Sequence, residues 1–346
     1  MTTYHGRRAA AIENDHLRVT VLQEGGHIAE ILDKETGVNP LWLPPWPSIE
    51  HSAYGSAHYA EYGAAADGSL LAGIMGHNLC LDIFGGPSAE EAACGLPVHG
   101  EGAVVPYTIH AIAESLTQRA ELPIAKIAFE RRVELHGRAV RIRESVESLA
   151  AYDRPIGWTQ HVTLGPPFLE KGVTQFRASA TRSKVFEGKF GTHDYLRAGA
   201  EFDWPDAPGT NDATVDLRVA NPAPASSGFT THLMDPARDG AFFAAYSPAS
   251  RLAFGYVWKQ SDFPWLGIWE ENHSRTHVPW SGRTLTRGME FGVSPMPESR
   301  REMIDRCPLF GTPVYRWLPA KARIEVEYWA IMMRTDSVPE TLDRPA

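Results

Sequence analysis

Histidine and carboxylate side chains are concentrated in a glycine-rich stretch, residues 74–101 (IMGHNLCLDIFGGPSAEEAACGLPVHGE). It contains His77, Asp82, His99 and Glu101, which are groups that can transfer protons or bind a polar ligand. Its five glycines are incompatible with one continuous strand or helix, so we predict loops that bring these side chains close to a ligand. Taken singly, each residue also fits ordinary hydrogen bonding within turns.

Two further ionisable residues lie in strand-like segments. His161 belongs to WTQHVTLGPPF (158–168), and Glu290 belongs to RGMEFGVSP (287–295), between Met289 and Phe291. A carboxylate between apolar neighbours is a candidate for a raised pKa and therefore for general-base catalysis. The alternatives are a solvent-facing glutamate on an alternating strand and a hydrogen-bonded core histidine.

Composition excludes several classes of function. The 346 residues include 33 basic and 42 acidic side chains, for a net charge of -9, and the basic residues are scattered. Nucleic-acid binding is therefore not expected. Three cysteines without metal-finger spacing argue against a disulfide framework. Neither a signal peptide nor a membrane-spanning apolar run is recognisable, so we expect a cytoplasmic protein without membrane contacts.

The elements that must position these residues are mostly strands. Strands are predicted at 16–22, 27–32, 126–136, 139–149, 157–164, 214–220, 228–233, 240–246, 252–259, 265–270, 285–292 and 322–333. Short helices are predicted at 87–93 and 297–305. Many strands with long loops and few helices indicate an all-β fold, a large antiparallel sandwich forming one domain over residues 1–346.

The clearest local prediction is a hairpin around Gly137-Arg138. A two-residue loop with glycine first is typical of a type II′ turn. This register places Arg131 opposite Glu144 on an otherwise apolar face. A charged pair there is either a structural ion pair or part of a ligand-lined face, and we favour the structural interpretation.

Tryptophans supply candidate sugar-binding surfaces. Several of the ten, including Trp204 and Trp269, lie in or near predicted loops. An indole offers an apolar face and a polar N–H, which suit the C–H face and hydroxyl edge of a sugar. Packing at the edges of the sandwich is the alternative for any one of them.

The ordered motifs resemble those of the galactose mutarotase-like superfamily, which includes aldose 1-epimerases. ENDHLRVTVLQEGGHIAEILDKETG (13–37) resembles its first strands, and LPVHGE (96–101) resembles its first histidine motif. WTQHVTLGPPF and RGMEFGVSP resemble the strands that carry its second histidine and its catalytic glutamate. The resemblance spans roughly residues 7–335 and implies a β-supersandwich with a long cleft.

The resemblance also implies roles for single residues. His161 would protonate the ring oxygen of a sugar, Glu290 would take the proton of the anomeric hydroxyl, and His99 would bind near the ring oxygen. No cofactor or metal is implied, and the ligand would be a small carbohydrate. The first motif reads HGE where the family usually has His-Gly-Gly, and the second lacks the usual asparagine before the histidine. The substrate-binding aspartate and arginine cannot be placed from the sequence, and Asp82, Asp203 and Arg131 are candidates only.

Two alternatives remain open. His77, His99, Glu101 and His161 could form a metal site of a sugar isomerase or hydrolase, with His99 and Glu101 on one side of a strand. The protein could also bind carbohydrate without turning it over. The oligomeric state cannot be read from the sequence.

Overall fold

Two large antiparallel β-sheets form the body of the molecule. The computed structural model describes residues 2–345. Strands take up 46% of the chain and helices 8%, which confirms the predicted all-β class. Apolar side chains from both sheets, such as Trp158 and Phe291 on one and Ile142 and Tyr328 on the other, belong to one buried core.

The elements are numbered in chain order. The strands are β1 (Thr2–Tyr4), β2 (Arg7–Glu13), β3 (Leu17–Leu22), β4 (Ile28–Asp33), β5 (His77–Asp82), β6 (Thr108–Ile112), β7 (Ser115–Leu122), β8 (Ile127–His136), β9 (Ala139–Ser148), β10 (Arg154–Leu164), β11 (Gln175–Ala178), β12 (Ala180–Val185), β13 (Glu201–Asp203), β14 (Asp206–Pro208), β15 (Thr214–Asp216), β16 (Ser226–Met234), β17 (Gly240–Ser247), β18 (Leu252–Lys259), β19 (Trp265–Asn272), β20 (Leu285–Gly292), β21 (Arg316–Leu318) and β22 (Arg323–Arg334). The helices are α1 (Tyr59–Tyr62), α2 (Gly68–Leu71), α3 (Ala89–Ala93) and α4 (Arg300–Arg306), and 3-10 turns occupy His51–Ala53, Ser56–His58 and Glu101–Ala103.

The sheet order places β10 centrally in the first sheet. That sheet runs β1-β2-β3-β4-β5-β10-β20-β19-β16-β12-β13, with β21 paired to one end of β10. The second sheet runs β11-β17-β18-β22-β9-β8-β7-β6, and β14 pairs with β15. Residues 156–164 of β10 are buried without alternation because the second sheet covers one face and loops cover the other.

The predicted hairpin register is confirmed. Arg131 pairs with Glu144, and Val133 pairs with Ile142, across the β8–β9 turn. Gly137 has a φ of +59°, and Arg138 is not among the residues with positive φ, which fits a type II′ turn. The face that carries Arg131 points toward the first sheet, because this guanidinium also donates to the carbonyl of Gly26.

The predicted strands and helices mostly occur where expected, but the structure also contains strands that were not predicted, among them β2, β5, β6 and β7. The prediction of loops around His77 and Asp82 is wrong, because His77–Asp82 is the fully buried strand β5. Two further differences concern single segments. Of the strand predicted at 214–220, only Thr214–Asp216 forms one, as half of the small β14–β15 ribbon. The connection between β4 and β5 contains α1 and α2, which the sequence analysis did not predict. Both are single turns, too short to show a helical period. This connection packs Trp42, Trp46 and Tyr62 over the outer face of the first sheet.

No helix within residues 2–345 is long and apolar enough to cross a membrane.

Candidate active site

A cavity of about 220 Å³ lies between the outer face of the first sheet and the loops that cover it. Its ionisable lining residues are Asp67, His99, His161, Arg275 and Glu290. The rest of its wall is mainly apolar and aromatic, with Phe84, Phe190, Phe229, Trp269 and Trp280. A larger groove of about 440 Å³ lies on the second sheet, is lined by charges of both signs and contains none of the predicted catalytic residues.

The register of β10 and β20 brings His161 and Glu290 together. The two residues are directly opposed across the antiparallel pair, so their side chains share one face. His161 Nε2 lies 3.1 Å from Glu290 Oε1. Glu290 Oε1 nevertheless has no hydrogen-bond partner among the described residues, so the angle between the two side chains does not suit a hydrogen bond. The two side chains are close enough to contact one reacting group, and Glu290 Oε1 is free to form a hydrogen bond with it.

Burial shifts the pKa values of the pair in opposite directions. Removal from water raises the pKa of Glu290 well above its usual value. Burial, and secondarily the nearby His99, lowers the pKa of His161 well below its usual value. Both shifts favour the uncharged form of each group, a protonated carboxyl group on Glu290 and a neutral imidazole on His161. Opposed shifts in adjacent groups are typical of acid–base sites.

The His-Gly motif at 99–100 holds its imidazole at the cavity by a strained loop. His99 has a φ of +65° and Gly100 a φ of +77°, and a Cβ at Gly100 would collide with the carbonyl oxygen of Leu81. His99 Nδ1 donates to the carbonyl of Phe84 at 2.5 Å, which leaves Nε2 unprotonated. The His99 and His161 rings are 5.1 Å apart. His99 and Glu101 were predicted on one side of a strand, but the chain here is a loop followed by a 3-10 turn.

The position of the Glu290 carboxyl group depends on Gly288. These residues are two apart on β20 and share a face, and a Cβ at residue 288 would collide with Glu290 Oε1. Gly288→Ala should therefore displace the carboxyl group and lower turnover by about 10²-fold, since small misplacements of catalytic groups have effects of this size. Steady-state kinetics of the reaction assigned to this cavity would measure the change. Gly55→Ala is the matched control, because a Cβ there meets nothing within 4 Å; equal activity of the two variants would contradict the assignment.

Two cavity residues were not predicted from the sequence. The Arg275 guanidinium lies 4.8 Å from the Trp280 ring centre, and its Nε and Nη2 donate to the carbonyl of Phe190. The Asp67 carboxylate makes no hydrogen bond or ion pair with any described residue, yet it influences the pKa of both His99 and Arg275. Asp67 comes from the unpredicted α2 connection and had no sequence signal. Arg275 lies in the long loop between β19 and β20. Because this loop leads directly into the strand that carries Glu290, its position in the sequence was a signal that could have indicated Arg275.

Comparison with solved structures identifies the architecture. A galactose mutarotase-like protein from Clostridium acetobutylicum is 12% identical, with 97% of this chain and 98% of that chain covered and a TM-score of 0.62. A galactose mutarotase related enzyme from Lactobacillus acidophilus is 14% identical over 96% and 100% of the two chains, with a TM-score of 0.58. A galactose mutarotase-like protein from Lactobacillus casei is 13% identical over 94% and 100%, with a TM-score of 0.56.

This chain has the galactose mutarotase-like fold. No protein-family model matches the sequence, and no curated protein matches it significantly. At this level of identity the comparison establishes the fold alone.

Within this fold, the predicted residues His77 and Arg131 do not reach the cavity. His77 points toward the second sheet, with its ring nitrogens 3.0 Å from the Tyr256 hydroxyl and 2.9 Å from Gln160 Oε1. Arg131 is 1% exposed and pairs with Glu144 at 2.7 Å between the sheets. The structural interpretation of that ion pair is therefore correct.

The predicted ligands Asp82, Glu101 and Trp204 also lie outside the cavity wall. Asp82 is held by the guanidinium groups of Arg154 and Arg300. Glu101 accepts hydrogen bonds from the backbone N–H groups of residues 124 and 125. Trp204 packs against His232, with 5.0 Å between ring centres. Of the predicted substrate-binding residues, only Trp269 lines the cavity, 5.8 Å from the His161 ring.

The donor set proposed for a metal site is not assembled. His99 and His161 are adjacent, but His77 lies on the opposite face of the sheet and Glu101 points to the backbone of residues 124–125. Within residues 2–345 no three His, Cys, Asp or Glu side chains converge as metal ligands.

Proposed function

We propose that this protein binds an aldose and interconverts its anomers, the activity of an aldose 1-epimerase. The observation that carries the proposal is the 3.1 Å approach of His161 Nε2 to Glu290 Oε1 inside an aromatic cavity. Opening a hemiacetal ring needs one proton delivered to the ring oxygen and one removed from the anomeric hydroxyl. Both oxygens are bonded to the same carbon, so an adjacent acid and base can serve them together.

In the reactive form the proton of the pair is on His161 and Glu290 is ionised. His161 would then donate to the ring oxygen while Glu290 accepts the anomeric proton, as the resemblance implies. The lowered pKa of His161 makes its protonated form a stronger acid, and the raised pKa of Glu290 makes its ionised form a stronger base. Rotation of the opened aldehyde and reclosure on its other face reverse both transfers. His99, with Nε2 unprotonated, can accept a hydrogen bond from a substrate hydroxyl.

Asp67 and Arg275 are the proposed contacts for the other hydroxyl groups. The Asp67 carboxylate is an acceptor without a partner, and Arg275 Nη1 is a donor that makes no hydrogen bond to the described residues. Together they offer a hydrogen-bond acceptor and a hydrogen-bond donor to the hydroxyl groups of a neutral polyol. Trp269 and Trp280 supply the apolar surface that a sugar ring needs. The cavity volume of about 220 Å³ suits a single sugar ring.

A mutarotation assay over a panel of aldoses tests the proposal. Polarimetry or NMR should show interconversion of freshly dissolved α or β anomers faster than the spontaneous rate. Calorimetric binding of a sugar without any acceleration would instead favour the carbohydrate-binding alternative. Running the assay with and without a chelator tests the metal-dependent alternative, for which activity must disappear with the metal.

The rate should depend on pH through the His161–Glu290 pair. The active pair carries one proton, so activity falls at acid pH when His161 binds a second proton and at alkaline pH when the last proton leaves. Because the pKa of His161 is lowered, the acid limb should lie below pH 6.5, and because that of Glu290 is raised, the alkaline limb should lie above pH 4.5. A profile of kcat/KM checks this; an acid limb above pH 6.5 would contradict the shift of His161.

A further inference from the structure

His27 and His51 are two buried histidines that the proposed reaction does not use. Their ring centres are 5.5 Å apart, and neither ring lines the cavity. His27 follows the glycine turn between β3 and β4, and His51 begins the 3-10 turn in the β4–β5 connection. Each is fixed to a segment that carries cavity residues.

Each imidazole uses one nitrogen to hold such a segment. His51 Nδ1 donates to the carbonyl of Ser69, between the cavity residues Asp67 and Leu70. His27 Nε2 donates to the carbonyl of Ala103, four residues after His99. A carbonyl only accepts, so these nitrogens carry the protons of neutral rings.

The other nitrogen of each ring is buried without a partner. Neither His27 Nδ1 nor His51 Nε2 has a hydrogen bond among the described residues. A proton added to either atom would create a buried cation whose new N–H has no acceptor.

The surrounding charges oppose such a proton. Arg7 is fully buried beside both rings and donates to the carbonyls of Gly73 and Glu24. Arg131 also lies close enough to disfavour a charge on His27. Glu50 favours a proton on His51, but it pairs with Arg7 at 3.0 Å and has the smallest effect on the His51 pKa. Glu24 accepts from Arg8 and Ser52.

We infer that His27 and His51 form an acid-sensitive latch, which holds the cavity segments 67–73 and 99–105 closed while both rings are neutral and releases them when the rings take up protons. The latch would make the cavity wall open at mildly acidic pH while the two sheets stay folded. It is independent of the reaction that the cavity performs.

The direction of the effect follows from linkage. Burial lowers the pKa of His51 to about 3 and that of His27 well below its usual 6.5. Released rings regain ordinary pKa values, so the closed form is fully favoured above pH 6.5 and loses that advantage as pH falls toward the lowered values. Each proton taken up raises the opening constant about tenfold per pH unit, and two protons raise it about 100-fold.

Native-state hydrogen exchange of the full chain tests the latch. Reporter amides are those of Ala72 and Val105, which bond within the two segments, and strand amides of β18 report global unfolding. After correction for intrinsic exchange, the opening constant of the reporter amides should increase as the pH falls from about 6.5 to about 5. Its logarithm plotted against pH should have a slope of about -2. The strand amides should not share this local opening.

Matched variants test whether His27 and His51 each take up one of the two protons. Asn places an amide near the Nδ1 position of histidine and Gln near the Nε2 position, so His51→Asn and His27→Gln can keep the donated hydrogen bond without titrating. Each should reduce the slope to about -1, and His16→Asn at an exposed site should leave it at about -2. A wild-type slope shallower than about -1, or slopes unchanged in both variants, would overturn the proposal; the wild-type measurement decides even if a variant does not fold.

Discussion

Glu290→Gln is expected to lower turnover by about 10²–10⁴-fold and, at the same time, to stabilise the fold at neutral pH. The loss of turnover follows because an amide cannot accept the anomeric proton. The gain in stability follows because the pKa of Glu290 is raised in the folded state by burial. Steady-state kinetics and thermal unfolding of the same preparation measure both effects.

The sign of the stability effect can be checked against pH. A group with a raised pKa in the folded state favours folding while it is protonated in both states, and that contribution is lost as pH rises through the folded value. The Tm difference between Glu290→Gln and the native chain should therefore grow from pH 4.5 upward. Glu325→Gln, on an exposed side chain, is the control, with little change in activity or Tm.

His161→Asn should lower turnover by a similar factor if the two residues act as a unit, and combining it with Glu290→Gln should add little. Wild-type anomer interconversion in either single variant would show that the residue is not part of the acid–base pair.

Arg131→Met is expected to destabilise the protein by about 3–5 kcal/mol, because it leaves the Glu144 carboxylate buried without its cation. The pair is 1% and 0% exposed and joined at 2.7 Å, so solvent screens little of the interaction. Urea unfolding monitored by tryptophan fluorescence measures the change. Arg119→Met is the control: its ion pair with Glu130 is largely exposed, and we expect about 0–1 kcal/mol.

From the sequence alone, replacing both partners by apolar residues of similar size is expected to restore much of that loss. The structure changes that expectation. Glu144 also accepts hydrogen bonds from Trp158 Nε1 at 3.0 Å, Gln160 Nε2 at 2.7 Å and the Tyr328 hydroxyl at 2.7 Å. Arg131→Met with Glu144→Leu would leave Trp158 Nε1 and Gln160 Nε2 buried and unpaired, while the Tyr328 hydroxyl could still donate to Gln160 Oε1. The double variant should therefore recover only part of the loss. Full recovery would show that the network contributes little beyond the ion pair.

Local patterns in the sequence determined about half of the strands, the β8–β9 hairpin and the class of fold. Alternation of apolar residues and the Gly137-Arg138 turn depend on neighbours along the chain, which is why the Arg131–Glu144 pairing could be derived exactly to the residue. The predicted residues His99, His161, Glu290 and Trp269 do line one cavity. The selection of His99, His161 and Glu290 rested on ordered motifs, because no spacing rule links residues so far apart in the chain. Trp269 was chosen as an aromatic side chain in or near a predicted loop.

Only the tertiary structure decided which face of the first sheet carries the site. On β10, Gln160 and His161 are adjacent in sequence, yet one bonds across the core to Glu144 and the other meets Glu290 under the loops. The strand is buried on both faces, so its sequence has no polar alternation to tell them apart. The same holds for β5, where the predicted ligand His77 is part of the core. Asp67 and Arg275 reach the cavity from connections whose paths depend on long-range packing.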